Sequence, residues 1–162
     1  MRIMTGDSNN DGFVGLGKLT IICLTKDRLQ EFKHVIEYWL NYPVQLVVSD
    51  GSENSETEKY VESITHSRDS HPKFQLIYKR EQSFPSRFNW IAKQINRPYS
   101  AFNNDDDFLH APSVEKILCQ LEENTDISGI YSWRNASSDY VSKRSKASSQ
   151  GVSEPVSYTH LR

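Results

Sequence analysis

Ala101 to Leu109 reads A-F-N-N-D-D-D-F-L. A short apolar approach runs into three consecutive carboxylates and returns at once to Phe108 and Leu109, the pattern of a strand end rather than of a solvated acidic loop. Carboxylates held this close repel one another, so a positive charge is expected among them, and a divalent cation with oxygen ligands is the usual candidate. In isolation an Asp triplet is more often a turn former. What precedes it decides between the two.

Three similar units precede it. Leu19 to Leu24 (L-T-I-I-C-L) is a nearly continuous apolar run rich in β-branched residues, the form of a strand covered on both faces. Asp27 and Gln30 resemble an N-cap and its reciprocal partner, and Leu29, Phe32, Val35, Ile36, Trp39 and Leu40 then recur at helical spacing until Pro43. Val44 to Val48 reads as the second strand, ended by the turn residues Ser49 to Ser52. A second helix follows, with Ser55 and Glu58 as a capping box and Tyr60, Val61 and Ile64 on one face. Phe74 to Tyr78 is strand three, closed by Lys79, Arg80 and Glu81. After a turn around Pro85, the stripe Phe88, Ile91, Ala92 and Ile95 predicts a short helix stopped by Pro98. Tyr99 to Asn103 is strand four and leads into the aspartates. Ser113 can cap a further helix, and Ile127 to Trp133 is expected to be a fifth strand.

With 162 residues, 19 basic and 21 acidic side chains and a net charge of −2, the chain fits one polar domain and offers no global field for nucleic acid or an anionic membrane. Cys23 and Cys119 lack metal-ligand spacing and read as buried free thiols, which fits a reducing cytosol. No apolar run has the length of a membrane span. A cytoplasmic location is expected, with a peripheral place on the inner face of a membrane also compatible. Residues 1–17 read as a flexible leader. Its Asp7, Asn9, Asp11 and Gly12 match the opening of a calcium loop, but Lys18 stands at the closing acidic position. Gly12, Gly17 and Lys18 have phosphate-loop spacing without the following Ser or Thr. Residues 137–162 are serine-rich, are expected to be disordered or artefactual, and end in P-V-S-Y-T-H-L-R, which resembles a translated adapter.

Strands alternating with helices predict an α/β fold with a mostly parallel sheet and right-handed crossovers. Ligands of such sheets bind beyond the C-terminal strand ends, where strand order reverses. If strand four lies beside strand one on the side away from strand two, Thr25 to Arg28, Asp50, Lys79, Arg80 and the aspartates all edge one cleft. Metal and phosphate binding is then favoured over a solvated turn.

The series L-T-I-I-C-L-T-K-D-R, V-V-S-D-G-S, R-F-N and F-N-N-D-D-D-F resembles, in order and spacing, the nucleotide-binding half of a GT-A glycosyltransferase of family 2 type, over roughly Lys18 to Arg134, within a partial domain expected over residues 18–136. The resemblance implies a Rossmann-like three-layer sandwich whose C-terminal part is expected to be missing from this chain. It implies metal-assisted and inverting transfer of a sugar from a nucleoside diphosphate sugar to an acceptor hydroxyl on a saccharide, lipid-linked or protein acceptor. Under it, Thr25, Asp27, Arg28, Asp50, Arg87, Asn89, Asn104 and Asp106 contact the nucleotide sugar, with Asp50 accepting from the base. Asp105 and Asp107, as the D-x-D element, would hold Mg2+ or Mn2+, with Asp107 favoured as the nearer ligand, although alignment on Asn89 instead puts Asn104 at the first family position and leaves the register open. Two departures stand out. Phe88 separates Arg87 from Asn89 where the family has Arg directly before Asn, and no acidic residue, Asp139 and Glu154 included, has the context of a general base. No catalytic residue is therefore assigned, and no turnover is expected of this chain. A non-catalytic nucleotide-sugar-binding module is the alternative. Phosphoryl transfer through Asp105 and Asp107 is a third reading, which requires the aspartates to follow the first strand rather than the fourth.

Overall fold

The computed structural model of the protein describes residues 13–65 and 72–129. The chain divides into two compact units, Met1–Ser128 and Gly129–Arg162, and every element below belongs to the first. Strands β1 (Leu19–Thr25), β2 (Gln45–Asp50), β3 (Gln75–Arg80) and β4 (Tyr99–Phe102) alternate with helices α1 (Leu29–Trp39), α2 (Glu56–Thr65), α3 (Phe84–Gln94) and α4 (Ala111–Glu123). All three strand pairings are parallel, in the order β3-β2-β1-β4. The α/β class with a parallel sheet is the one expected, and β4 sits on the far side of β1 from β2.

Burial explains the sequence pattern. Residues of β1 and β2 are buried along almost their whole length, so they read as continuous apolar runs, whereas the edge strands β3 and β4 are only half-covered. One face of the sheet, carrying Leu19, Ile21, Cys23, Leu46 and Val48, packs against Phe32, Val35, Ile36 and Trp39 of α1, Val61 of α2, and Ala111, Val114 and Leu118 of α4. The opposite face gathers Ile22 and Val47 against Ile91 of α3. Trp39 and Phe32 are the largest fully enclosed side chains. Each such side chain contributes about 1.5–3 kcal/mol by leaving water, which makes α1 the main anchor of the sheet.

The helix starts differ from those read in the sequence. Asp27 does not cap α1; Arg28 occupies the N-cap position without a side-chain cap bond. Asp27 instead sits at φ 56, the left-handed region that Asp tolerates because its short polar side chain bonds locally. Asn54, rather than Ser55, accepts from the Glu56 amide at the start of α2, at 3.0 Å. Helices α3 and α4 begin at Phe84 and Ala111, with Pro85 and Pro112 inside their first turns, where a missing N–H costs nothing. Residues 127–129 form no strand, and the remainder of the expected fifth strand lies outside the described residues. Residues 13–17, read as leader, pack onto the domain. Glu115 accepts from the amides of Gly15 and Leu16, both at 2.8 Å, and Leu16 is fully buried.

Candidate functional site

Because β1→β2→β3 progresses one way across the sheet and β4 lies on the other side of β1, strand order reverses between β1 and β4. The crevice beyond their C-terminal ends is where such sheets bind ligands. Two loops meet there, β1–α1 (Lys26 to Arg28) and the aspartate segment after β4. A third, β2–α2, supports the first from the side. Gly51 donates its amide to the Thr25 carbonyl at 2.8 Å, and Ser52 Oγ accepts from the Asp27 amide at 2.8 Å. The unusual φ of Asp27 is thus held by a specific bond.

Asn104 to Asp107 is a turn closed by the Asp107 amide on the Asn104 carbonyl, at 3.1 Å. Asp105 and Asp106 occupy its two central positions and differ in exposure. Asp105 turns inward and is 8% exposed, accepting from Thr25 Oγ1 at 2.8 Å and from Arg28 Nη1 at 3.3 Å. Asp106 is exposed and accepts from the same Arg28 nitrogen at 3.0 Å. Asp107 is half-buried, and its Oδ2 accepts from the side-chain Nδ2 of Asn104 at 3.4 Å. The positive charge demanded by the triplet is therefore supplied within the chain by a half-exposed guanidinium. Burial pushes the Asp105 carboxyl above the usual carboxylate range, against the opposing pull of Thr25 and Arg28, and the neighbouring Asp106 charge adds to the rise. Arg28 moves up, chiefly through its bond to Asp106.

Of the residues singled out in the sequence, Thr25, Arg28, Asp105 and Asp106 are brought into direct contact, with Asn104 and Asp107 completing the turn. Asp50 is the last residue of β2 and is fully buried. Its Oδ1 accepts from the amide and hydroxyl of Ser52 and its Oδ2 from the Tyr78 hydroxyl at 2.8 Å, so its present partners come from within the protein. Burial and the bond to Asp50 push the Tyr78 phenol upward. Arg87 is enclosed, 5% exposed, and spans the tops of β1 and β2: it donates to Ser49 Oγ at 3.2 Å, to the Thr25 carbonyl at 2.9 Å and to the Ser49 carbonyl. Desolvation lowers its pKa. Asn89, two residues on, is exposed on α3. His110, close enough in sequence to be weighed as a ligand, instead pairs Nδ1 with Ser113 Oγ at 2.9 Å as the N-cap residue of α4. Asp139 and Glu154 lie outside the described residues.

Three residues that shape the site were not picked out from the sequence. Ser52 and Tyr78 fill Asp50, and Asn103 supports the aspartate turn. Ser52 was visible as part of the S-D-G-S turn; Tyr78 reaches Asp50, and Asn103 is oriented by Trp39, across long stretches of sequence that no local pattern connects.

No group of three or more His, Cys, Asp or Glu side chains is arranged as a metal cage among the described residues. Mg2+ is usually held by one or two carboxylates together with substrate phosphates, not by an all-protein cage. The hard oxygen donors of the Asp105 to Asp107 turn fit that mode. No helix among the described residues is long and apolar enough to cross a membrane. Comparison with protein-family models finds none that matches the chain, and comparison with curated proteins finds no match.

Proposed function

We propose that this domain binds the nucleoside diphosphate part of a sugar donor in the β1/β4 crevice and serves transfer of that sugar to an acceptor hydroxyl, on the cytoplasmic side. The observation that carries this reading is the strand order, which sets the Asn104 to Asp107 turn across from Thr25 to Arg28 at the point of reversal. Position after the fourth strand also argues against an aspartyl-phosphate mechanism, whose carboxylates follow the first.

In this reading Thr25 holds Asp105 in place, and Asp105 and Asp107 are the carboxylates that would hold Mg2+ or Mn2+ shared with the diphosphate. The ion would neutralise charge on the departing nucleoside diphosphate as a Lewis acid. Arg28, exposed and already poised over two carboxylates, exchanges some of that pairing for a phosphate oxygen. Asp27 and Lys26 line the same loop. Arg87 acts from behind, holding the strand ends at their spacing rather than touching the donor. The described residues identify no general base, so donor binding is the step to test first.

Calorimetry with uridine diphosphate is the direct test. At least tenfold tighter binding with Mn2+ than with a chelator is expected, and Asp107→Ala should remove the metal-dependent part. Metal-independent binding, or an Asp107→Ala variant that behaves as wild type, would sink the proposal.

A further inference from the structure

Asn103 follows β4 and precedes the aspartates, and it is 2% exposed. Its backbone amide donates to the Ile22 carbonyl at 2.9 Å and so continues the β1–β4 ladder by one residue. That bond is available to any residue except proline. The side chain does something else. Oδ1 accepts from the indole Nε1 of the fully buried Trp39 at 2.8 Å, while Nδ2 donates to the Asn104 carbonyl at 3.0 Å and to the Asp107 carbonyl at 2.8 Å. An indole nitrogen can only donate and a carbonyl can only accept, so the amide has one possible orientation.

We propose that Asn103 is the positioning residue of the aspartate turn, fixing its first and last carbonyls from beneath while Trp39 fixes Asn103. No other side chain of this size meets the three demands. Leucine has the volume and no polar atoms; aspartate can accept from Trp39 but sets oxygens against two carbonyls; glutamine is one methylene longer in an enclosed space. A core position that needed only filling would be apolar, because a buried amide is tolerated only when its bonds are made.

The surroundings carry the same logic. Tyr38, beside Trp39 on the last turn of α1, accepts from the Ala111 amide at 2.8 Å and sets its ring 4.7 Å from that of Phe108. The last turn of α1 therefore grips the aspartate segment at Asn103, Phe108 and Ala111, while Arg28 at the start of the helix reaches Asp105 and Asp106. One rigid helix sets both the backbone of the turn and the pairing of its carboxylates.

The consequence for donor binding rests on the function proposed above; the consequence for the turn does not, and the test separates them. Amide hydrogen exchange is followed by NMR in Asn103→Leu and Trp39→Phe, together with calorimetry using uridine diphosphate and Mn2+. In Asn103→Leu, exchange of the Asp107 amide should rise at least tenfold while that of Val47, in the centre of the sheet, stays unchanged. The metal-dependent part of nucleotide affinity should fall at least tenfold. Trp39→Phe should show the same selective effect at Asp107 to a smaller degree, and decides the matter alone if Asn103→Leu fails to fold. Unchanged protection at Asp107, or equal loss at Asp107 and Val47, overturns the proposal. Absence of nucleotide binding in the wild type would refute the donor reading and leave the exchange pattern to judge Asn103.

Discussion

Gly51 and Arg87 offer a quantitative check on how the crevice is supported. A methyl carbon added to Gly51 would lie 2.5 Å from Arg87 Nη1 and 3.2 Å from its Cζ. The end of a free arginine would simply move aside. This one cannot, because the guanidinium is planar and its Nε and Nη2 are committed to Ser49 and Thr25, so shifting Nη1 disturbs every bond at once. Gly51 is not in the left-handed region, so backbone strain adds nothing. Overpacking of this kind costs about 1–3 kcal/mol, and Gly51→Ala is expected to fall there. Arg87→Leu removes the clash but strips Ser49 of its donor; with partial relief from no longer burying a cation, a loss of about 2 kcal/mol is expected. In the double variant the alanine should be accommodated for less than about 0.5 kcal/mol, giving a coupling of roughly 0.5–3 kcal/mol. Urea unfolding followed by tryptophan fluorescence measures all four corners of the cycle. Additive penalties would show that Arg87 is not locked, and the support role assigned to it would fail.

Three further outcomes follow from buried polar groups. Asp105 holds its proton more tightly in the folded than in the unfolded chain, so its contribution is most favourable below the ordinary value of 3.8 and is lost as pH rises through the raised value; urea midpoints of wild type and Asp105→Asn should therefore move in the variant's favour across that window, and the opposite trend would contradict the burial argument. Thr20 donates to Gln45 Oε1 at 2.7 Å, and Gln45 Nε2 is a buried donor without a partner among the described residues; Thr20→Val alone should cost about 1–2 kcal/mol, whereas Thr20→Val with Gln45→Met should be close to neutral, measured by the same unfolding assay. Cys23 is buried, as expected, with its thiol pushed up by burial, whereas Cys119, also expected to be buried, lies on the exposed side of α4; a thiol reagent at neutral pH should label Cys119 in the native protein and Cys23 only after unfolding.

The sheet was legible because its two central strands are buried on both faces and therefore spell out continuous apolar runs, and because Asp and Gly mark the strand ends. The helix starts were less so. Pro85 reads as a turn and Ser113 as a cap, yet Pro85 and Pro112 each stand in a first turn where proline fits. Asp27 looks like a cap in sequence, but its amide is drawn to Ser52, a residue of another loop. The aspartate triplet was recognised as a charged cluster in need of compensation, and Arg28 was placed nearby; that Arg28 itself bridges Asp105 and Asp106 depends on the turn that presents both carboxylates to one guanidinium nitrogen. Arg87 illustrates the limit most sharply: motif position suggests a ligand contact, and only the tertiary arrangement shows a guanidinium enclosed between two strand ends. The pairing of Tyr78 with Asp50 and of Trp39 with Asn103 joins residues far apart in sequence and leaves no local trace.

The central claim is that a nucleoside diphosphate occupies the β1/β4 crevice. Titration of isotope-labelled protein with uridine diphosphate and Mn2+, read by amide NMR, tests it residue by residue. Paramagnetic broadening centred on Asn104 to Asp107, with shifts through Thr25 to Arg28, is the predicted result; an unperturbed crevice at saturating ligand, or broadening centred elsewhere on the domain, would contradict it.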